Sequence, residues 1–331
     1  MKKMDHWERV QACIAGEASD YPAVSLWRHF PEEDLHVSKL VLRTLEWQRK
    51  WDFDLVKYSP SGTYSAEAWG AFSQYLGISI GARSVIEPAI RKPSDWDLIK
   101  PVSTRIGPIA RQNEALAHIT RNLRGEAPVL MTIFSPITTA FKMAGDRLYA
   151  DLRLYPDSVE AALAAITETT IETINDSLAA GADGIFLATQ QASHRLLDVA
   201  EFERFGKRFD LQILAAVKDR TRVNMLHAHG HDIMVESLAD YPVHMINWHD
   251  RETLPSLREG MDAFKGKALV GGLSEMQVMM QGSQDDIRRE VEDAIEQTGG
   301  RRLMLAPGCV LHIETSDEAI RTVIDTVRRP R

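Results

Sequence analysis

Three histidines alternate with small residues in Asn224-Met225-Leu226-His227-Ala228-His229-Gly230-His231. Side chains along a strand point alternately to opposite faces, so His227 and His229 share a face if 222–229 is extended. Two imidazoles converging at a strand end suit a borderline metal such as zinc. A second ligand type stands far along the chain: Cys309, which follows the short apolar run of 303–306 and a Pro-Gly pair. It too would lie past a strand end. Any one of these histidines reads most simply as a satisfied strand-end residue, and Cys309 as a small buried thiol. A His-x-His at one strand end, with one of only two cysteines at another, points instead to a metal site of His227, His229 and Cys309. Three protein ligands leave zinc's fourth position open, and an open zinc lowers the pKa of a bound thiol or water.

Positioning such a set requires several strands that end on the same side. Short apolar runs at 23–27, 54–58, 128–134, 184–188, 243–248, 268–271 and 302–305 join the histidine strand to give eight strand candidates. Helical patterns separate nearly all of them, at 33–51, 108–124, 159–180, 200–219, 232–239, 255–264, 285–297 and 317–329, with a first short helix at 5–16. The helix at 159–180 is the clearest, with Val159, Leu163, Ile166, Thr170, Ile174 and Leu178 on one stripe and Gly181 to end it. Ser135-Pro136 begins another helix, and 77–100, with Pro88 and Pro93, lacks a period and reads as an extended excursion or hairpin. Alternating β and α units over 331 residues predict a single-domain α/β fold over 1–331, a (β/α)8 TIM barrel. A doubly wound sheet is the rival, but no Gly-rich phosphate fingerprint follows the first strand.

Barrels of this kind keep their sites at the C-terminal ends of the strands. Those ends carry Arg28, His29, Tyr58, Ser59, Ser135, Thr189, Gln190, His227, His229, Trp248, His249, Ser274, Glu275 and Cys309. Arg28, His249 and Gln190 are the candidate catalytic residues, with Arg28 as an anion clamp. His249 reads equally as a further ligand, an acid/base, or a helix cap. His231 lies past the turn and reads as a capping residue; His244 starts a strand, at the opposite rim, and reads as structural.

A net charge of −8 spread along the chain argues against nucleic acid as the main partner. Hydrophobic content of 44% and charged content of 26% are those of a soluble globular protein. Two cysteines give no disulfide framework, the first residues lack the apolar core of a signal peptide, and no apolar run approaches a membrane span. These features lead us to expect a cytoplasmic protein without a membrane or nucleic-acid partner.

The segments Gly181-Ala182-Asp183, the histidine strand, Met245-Ile246-Asn247-Trp248, Val270-Gly271-Gly272-Leu273 and Ala306-Pro307-Gly308-Cys309 resemble the uroporphyrinogen decarboxylase superfamily. Tyr21-Pro22-Ala23-Val24, Arg28 and Ser135-Pro136-Ile137-Thr138 fit it more loosely. The resemblance implies the same barrel fold. It is closer to the zinc-dependent corrinoid and coenzyme M methyltransferases than to the true decarboxylases. The decarboxylase pattern would want an Asp after the second strand, a Tyr after the third and a His after the last. This chain has Pro60 or Ser61, Lys142 near the third, and Cys309 there, which speaks against porphyrinogen decarboxylation. The methyltransferase pattern, His-x-Cys after strand five and Gly-Cys after strand eight, matches His227 and Cys309, with His229 in place of the first Cys. A neutral imidazole for a thiolate makes the site one charge more positive and a stronger Lewis acid.

The resemblance therefore implies a zinc-dependent methyltransferase-like enzyme acting on a small molecule through a thiol or other heteroatom. A corrinoid carried on a partner protein would be methyl donor or acceptor, and there is room for a homodimer. The rivals are a lyase, such as a decarboxylase of a small carboxylate, with Arg28 as clamp, and a non-catalytic barrel.

Overall fold

The computed structural model describes residues 3–329. Eight parallel strands form one sheet: β1 (Ala23–Val24), β2 (Val56–Tyr58), β5 (Val129–Phe134), β6 (Gly184–Thr189), β7 (Met225–Ala228), β8 (Met245–Trp248), β9 (Ala268–Leu273) and β10 (Leu303–Pro307). The remaining two, β3 (Phe72–Gln74) and β4 (Ser84–Glu87), make an antiparallel hairpin. In the large sheet each strand pairs with its successor from β2 round to β10, and β10 pairs back onto β1 with Ala23 opposite Met304. These strands are buried along their whole length because helices cover the outside and side chains fill the centre, which is why their sequences are continuous apolar runs.

Between β1 and β2 a side chain completes what the ladder does not. Asp54, fully buried, takes the Val24 amide on Oδ2 at 2.9 Å, while its own amide donates to the Val24 carbonyl at 2.9 Å. Ser25 Oγ donates across the same seam to the Leu55 carbonyl at 2.7 Å. The ring is thereby closed, and the chain forms the (β/α)8 barrel expected from its pattern. The other Asp54 oxygen is held by the helix His6–Ala15, through His6 Nδ1 at 2.8 Å and the Arg9 guanidinium.

Differences from the expected elements fall at their ends. Strand one is two residues long rather than five, although Arg28 still bridges to Leu311. The histidine strand begins at Met225 because Asn224 turns its side chain into the barrel bottom, where Oδ1 accepts from the Ile185 amide. The helix expected at 232–239 is only Val235–Ala239, and the one at 200–219 is interrupted by a π-helical turn at Glu203–Lys207. The excursion is a hairpin that starts earlier than its prolines suggest. It reaches the barrel mouth, where Ile313 donates its amide to the Ser79 carbonyl at 2.8 Å.

Candidate metal centre and substrate cavity

His227 is the third residue of β7, and His229 follows the strand while its amide still continues the ladder to the Thr189 carbonyl at 3.0 Å. The two rings do face one way, with centroids 5.8 Å apart. His249, just past β8, brings its Nε2 to 3.2 Å from His229 Nδ1. Cys309 arrives from β10, with Sγ 3.7 Å from the same His229 nitrogen. Gly308 makes that approach feasible, since a Cβ there would stand 2.9 Å from the His249 Cα and 3.1 Å from the Trp248 carbonyl oxygen. One ligand atom from each of His227, His229, His249 and Cys309 lies within 4.8 Å of all the others.

The orientation of His227 is settled by its neighbour. Asn247 uses both amide hydrogens, donating to the carbonyls of Val270 at 2.8 Å and Pro307 at 3.0 Å. Its Oδ1 must therefore face His227 Nδ1, 2.6 Å away, and Nδ1 must carry the proton. That leaves the Nε2 lone pair free, and Phe186 stacked at 5.3 Å fixes the ring plane. A metal-ligating histidine commonly has such a partner on its other nitrogen.

Charge in the cluster is collective. Burial alone would raise the Cys309 thiol, but His227, His229 and His249 around it hold it well below its usual range. Burial works against charge on His249, yet Cys309 and Glu275 push its imidazole up to about 10. Glu275 Oε1 lies 3.0 Å from His249 Nδ1, close enough for an ion pair but poorly directed for a hydrogen bond. A thiolate with imidazoles at ligand spacing is a donor set that zinc takes, and hard oxygen-seeking ions do not. The residues fit a zinc ion, with His227, His229 and Cys309 as the expected ligands and His249 in reach.

A small cavity opens beside the cluster, bounded by Trp27, His29, Lys57, Phe134, Phe186, Gln190, His227 and Cys309 among others. Gln190 bounds this space, and its backbone N–H donates to Thr138 Oγ1 at 2.9 Å. Arg28 does not reach this space. Its guanidinium lies 4.6 Å from the Trp47 ring centroid and donates to the Ile313 carbonyl at 2.9 Å, on the outer side of the barrel wall. His231 stays outside the cluster, 3.9 Å from Glu252 and largely open to solvent. The sequence reading missed Lys57, and it quoted Asn247 and Lys142 without giving either a place at the site. Lys57 did leave a signal, as a lone cation inside the buried run of β2.

A closed (β/α)8 barrel with a nitrogen and sulfur donor cluster at its mouth defines a class of mouth-site barrel enzymes. The sequence model of the uroporphyrinogen decarboxylase (URO-D) family matches residues 19–330, and the chain belongs to that family. Its relatives include the methylcobamide:CoM methyltransferase MtbA of Methanosarcina acetivorans, 19% identical over 91% of this chain and 87% of that one. The methylcobamide:CoM methyltransferase MtaA of Methanosarcina barkeri is 26% identical over 64% of this chain and 61% of its own. A solved methyltransferase from Methanosarcina mazei shares the fold, with a TM-score of 0.85 and 22% identity over 98% of each chain. Within the superfamily the chain is therefore nearer the methyltransferase branch than the decarboxylases.

Proposed function

We propose that this methyltransferase-like enzyme activates a thiol or other heteroatom substrate at a zinc held by His227, His229 and Cys309. The observation that carries the reading is the set of four donor atoms within 4.8 Å at the barrel mouth. When bound, the metal supplies Lewis acidity that lowers the pKa of a substrate thiol. The chain's own residues do the rest. Asn247 presents His227 in one tautomer, Phe186 and Trp27 exclude water from one side of the cavity, and Gln190 offers hydrogen bonds to the substrate. His249, held as an imidazolium beside Glu275, is placed to donate a hydrogen bond to the substrate heteroatom, whose proton leaves to solvent. The freed pair then attacks the methyl carbon of a methylated corrinoid, and the carbon–cobalt pair stays with the corrinoid.

The corrinoid would come on a partner protein, a reading supported by relatives named for methylcobamide and CoM. We take the whole of 1–331 as one barrel domain, since the helix His6–Ala15, ahead of the matched region, is tied into the barrel seam. We take the protein to act in the cytoplasm; no described helix is long and apolar enough to cross a membrane. The test is metal analysis with methyl transfer from methylcobalamin to a panel of thiols. About one zinc per chain, with activity lost on chelation and restored by zinc, is the expected result. Full methyl transfer by a metal-free preparation would overturn it.

A further inference from the structure

Lys57 comes from the middle of β2 and is only 7% exposed. Its Nζ donates to Ser59 Oγ at 3.2 Å and lies 4.9 Å from the centroid of Phe186. Lys142, from the helix Pro136–Ala144, holds its Nζ 4.5 Å from the centroid of Phe134. Both rings are walls of the cavity that His227 and Cys309 also bound. Among the described residues no carboxylate lies within 4.0 Å of either ammonium. A buried cation on the cavity wall, Lys57, and a half-buried one over the Phe134 ring, Lys142, thus stand beside the cavity without a carboxylate partner. Buried charge is retained at such cost only where something pairs with it. A single lysine of this kind would suit covalent chemistry; two with no internal partner suit an anion.

We propose that Lys57 and Lys142 seat the anionic headgroup of the substrate, a small monoanion whose flat apolar body lies against Phe134 and Phe186. The seat takes over the task expected of Arg28, which faces out of the cavity. His29, which also bounds the cavity, is a neutral group, held down to about 3 by burial and then by Lys57 and Lys142. It adds a polar contact but no competing charge. The far end of a ligand so held is directed to Cys309 and His227, which is where the reading of the function above needs a heteroatom; the seat itself does not depend on that reading.

The test is calorimetric binding of benzoate, acetate and uncharged benzamide to the whole protein, both as isolated and after metal removal by a chelator. Benzoate is expected to bind in both states, with acetate and benzamide each roughly tenfold weaker or more, for want of the flat body and the charge respectively. Lys57→Met and Lys142→Met should each weaken benzoate by roughly tenfold or more. Both variants should melt no lower than the parent, because a neutral side chain of similar shape replaces a buried charge. Should one fail to fold, the other still decides. Benzoate that does not bind the parent, or that binds both methionine variants as the parent does, would overturn the proposal. So would benzamide binding as tightly as benzoate. Acetate binding as tightly as benzoate would overturn the flat-body assignment. A protein that holds no zinc yet takes benzoate through these lysines would instead sink the metal reading and leave this one standing.

Discussion

The amide oxygen of Asn247 lies 2.6 Å from Nδ1 of His227, and both amide hydrogens of the same side chain are committed to carbonyls of β9 and β10. One residue thus ties three strands together and fixes which nitrogen of the histidine can face a metal. It belongs to the centre's architecture without being a ligand.

Replacing it tests that link. Asn247→Leu keeps the volume but removes the acceptor, so His227 loses its fixed tautomer. We expect metal affinity, from competition with a chromophoric chelator, to fall by roughly 10–100-fold. Two carbonyls are also left without partners in the barrel, so the melting temperature should drop as well. An unchanged metal affinity would remove Asn247 from the site.

Cys309→Ser should lose most of the zinc while the circular dichroism and melting curve stay close to the parent's. A hydroxyl is a poor ligand beside a thiolate, and the residue lies past β10 rather than in the barrel interior. His229→Cys should keep the metal, since it exchanges one good ligand for another. If the serine variant bound zinc as tightly as the parent, the centre would have to be rebuilt around His249 and its carboxylate neighbours.

Arg28→Ala should cost stability and spare binding. Its guanidinium lies against Trp47 and holds the Ile313 carbonyl, so truncation should lower unfolding free energy by about 1–2 kcal/mol. Denaturant midpoints read the loss, and benzoate affinity reads the sparing. The opposite pattern, with affinity lost and stability kept, would restore Arg28 as the clamp.

Anion binding should weaken as pH rises through about 8. Burial lowers Lys57 and Lys142 to about 8 each, and only their protonated forms attract a carboxylate. The groups facing them, His29 and Cys309, do not oppose this: His29 stays neutral across the range and the thiolate is already charged. In the unfolded chain both lysines keep their protons to about 10.4, so the unfolded state binds more protons between the two values. Stability should therefore rise with pH in that window while binding falls. Benzoate affinity that is flat from pH 7 to about 9.5 would contradict the seat.

The eight strands were legible because each is a short apolar run between helical patterns, and burial on both faces leaves little else for such runs to be. The His227–His229 pair was legible through the period of two. The same period, carried beyond β1 to the isolated bridge at Arg28, separates that residue from its neighbours: Trp27 and His29 face the cavity, so the residue between them cannot. The alternation persists beyond the last ladder hydrogen bond, and reading strand ends as an undivided set overlooks it. Lys142 was noticed near the third strand, but its place over the cavity wall was out of reach for a different reason. It lies on a helix after β5, and no local pattern tells that its side chain folds back over Phe134. His249 was left between ligand and cap because sequence gives its position at the rim but not the Glu275 that awaits it.

The seam between β1 and β2 bears on where the polypeptide can be cut. The family match begins at residue 19, and a truncation designed on it would discard His6 and Arg9. Asp54 would then keep its grip on the Val24 amide but lose both cationic neighbours, a carboxylate stranded in the barrel wall. Breaking a buried pair in this way costs about 3–5 kcal/mol, a large part of what holds an ordinary domain together. The shortest autonomous folding unit should therefore be longer than the family match, and deletion from the amino-terminal end should fail between Asp5 and Glu17, well before the first strand is touched.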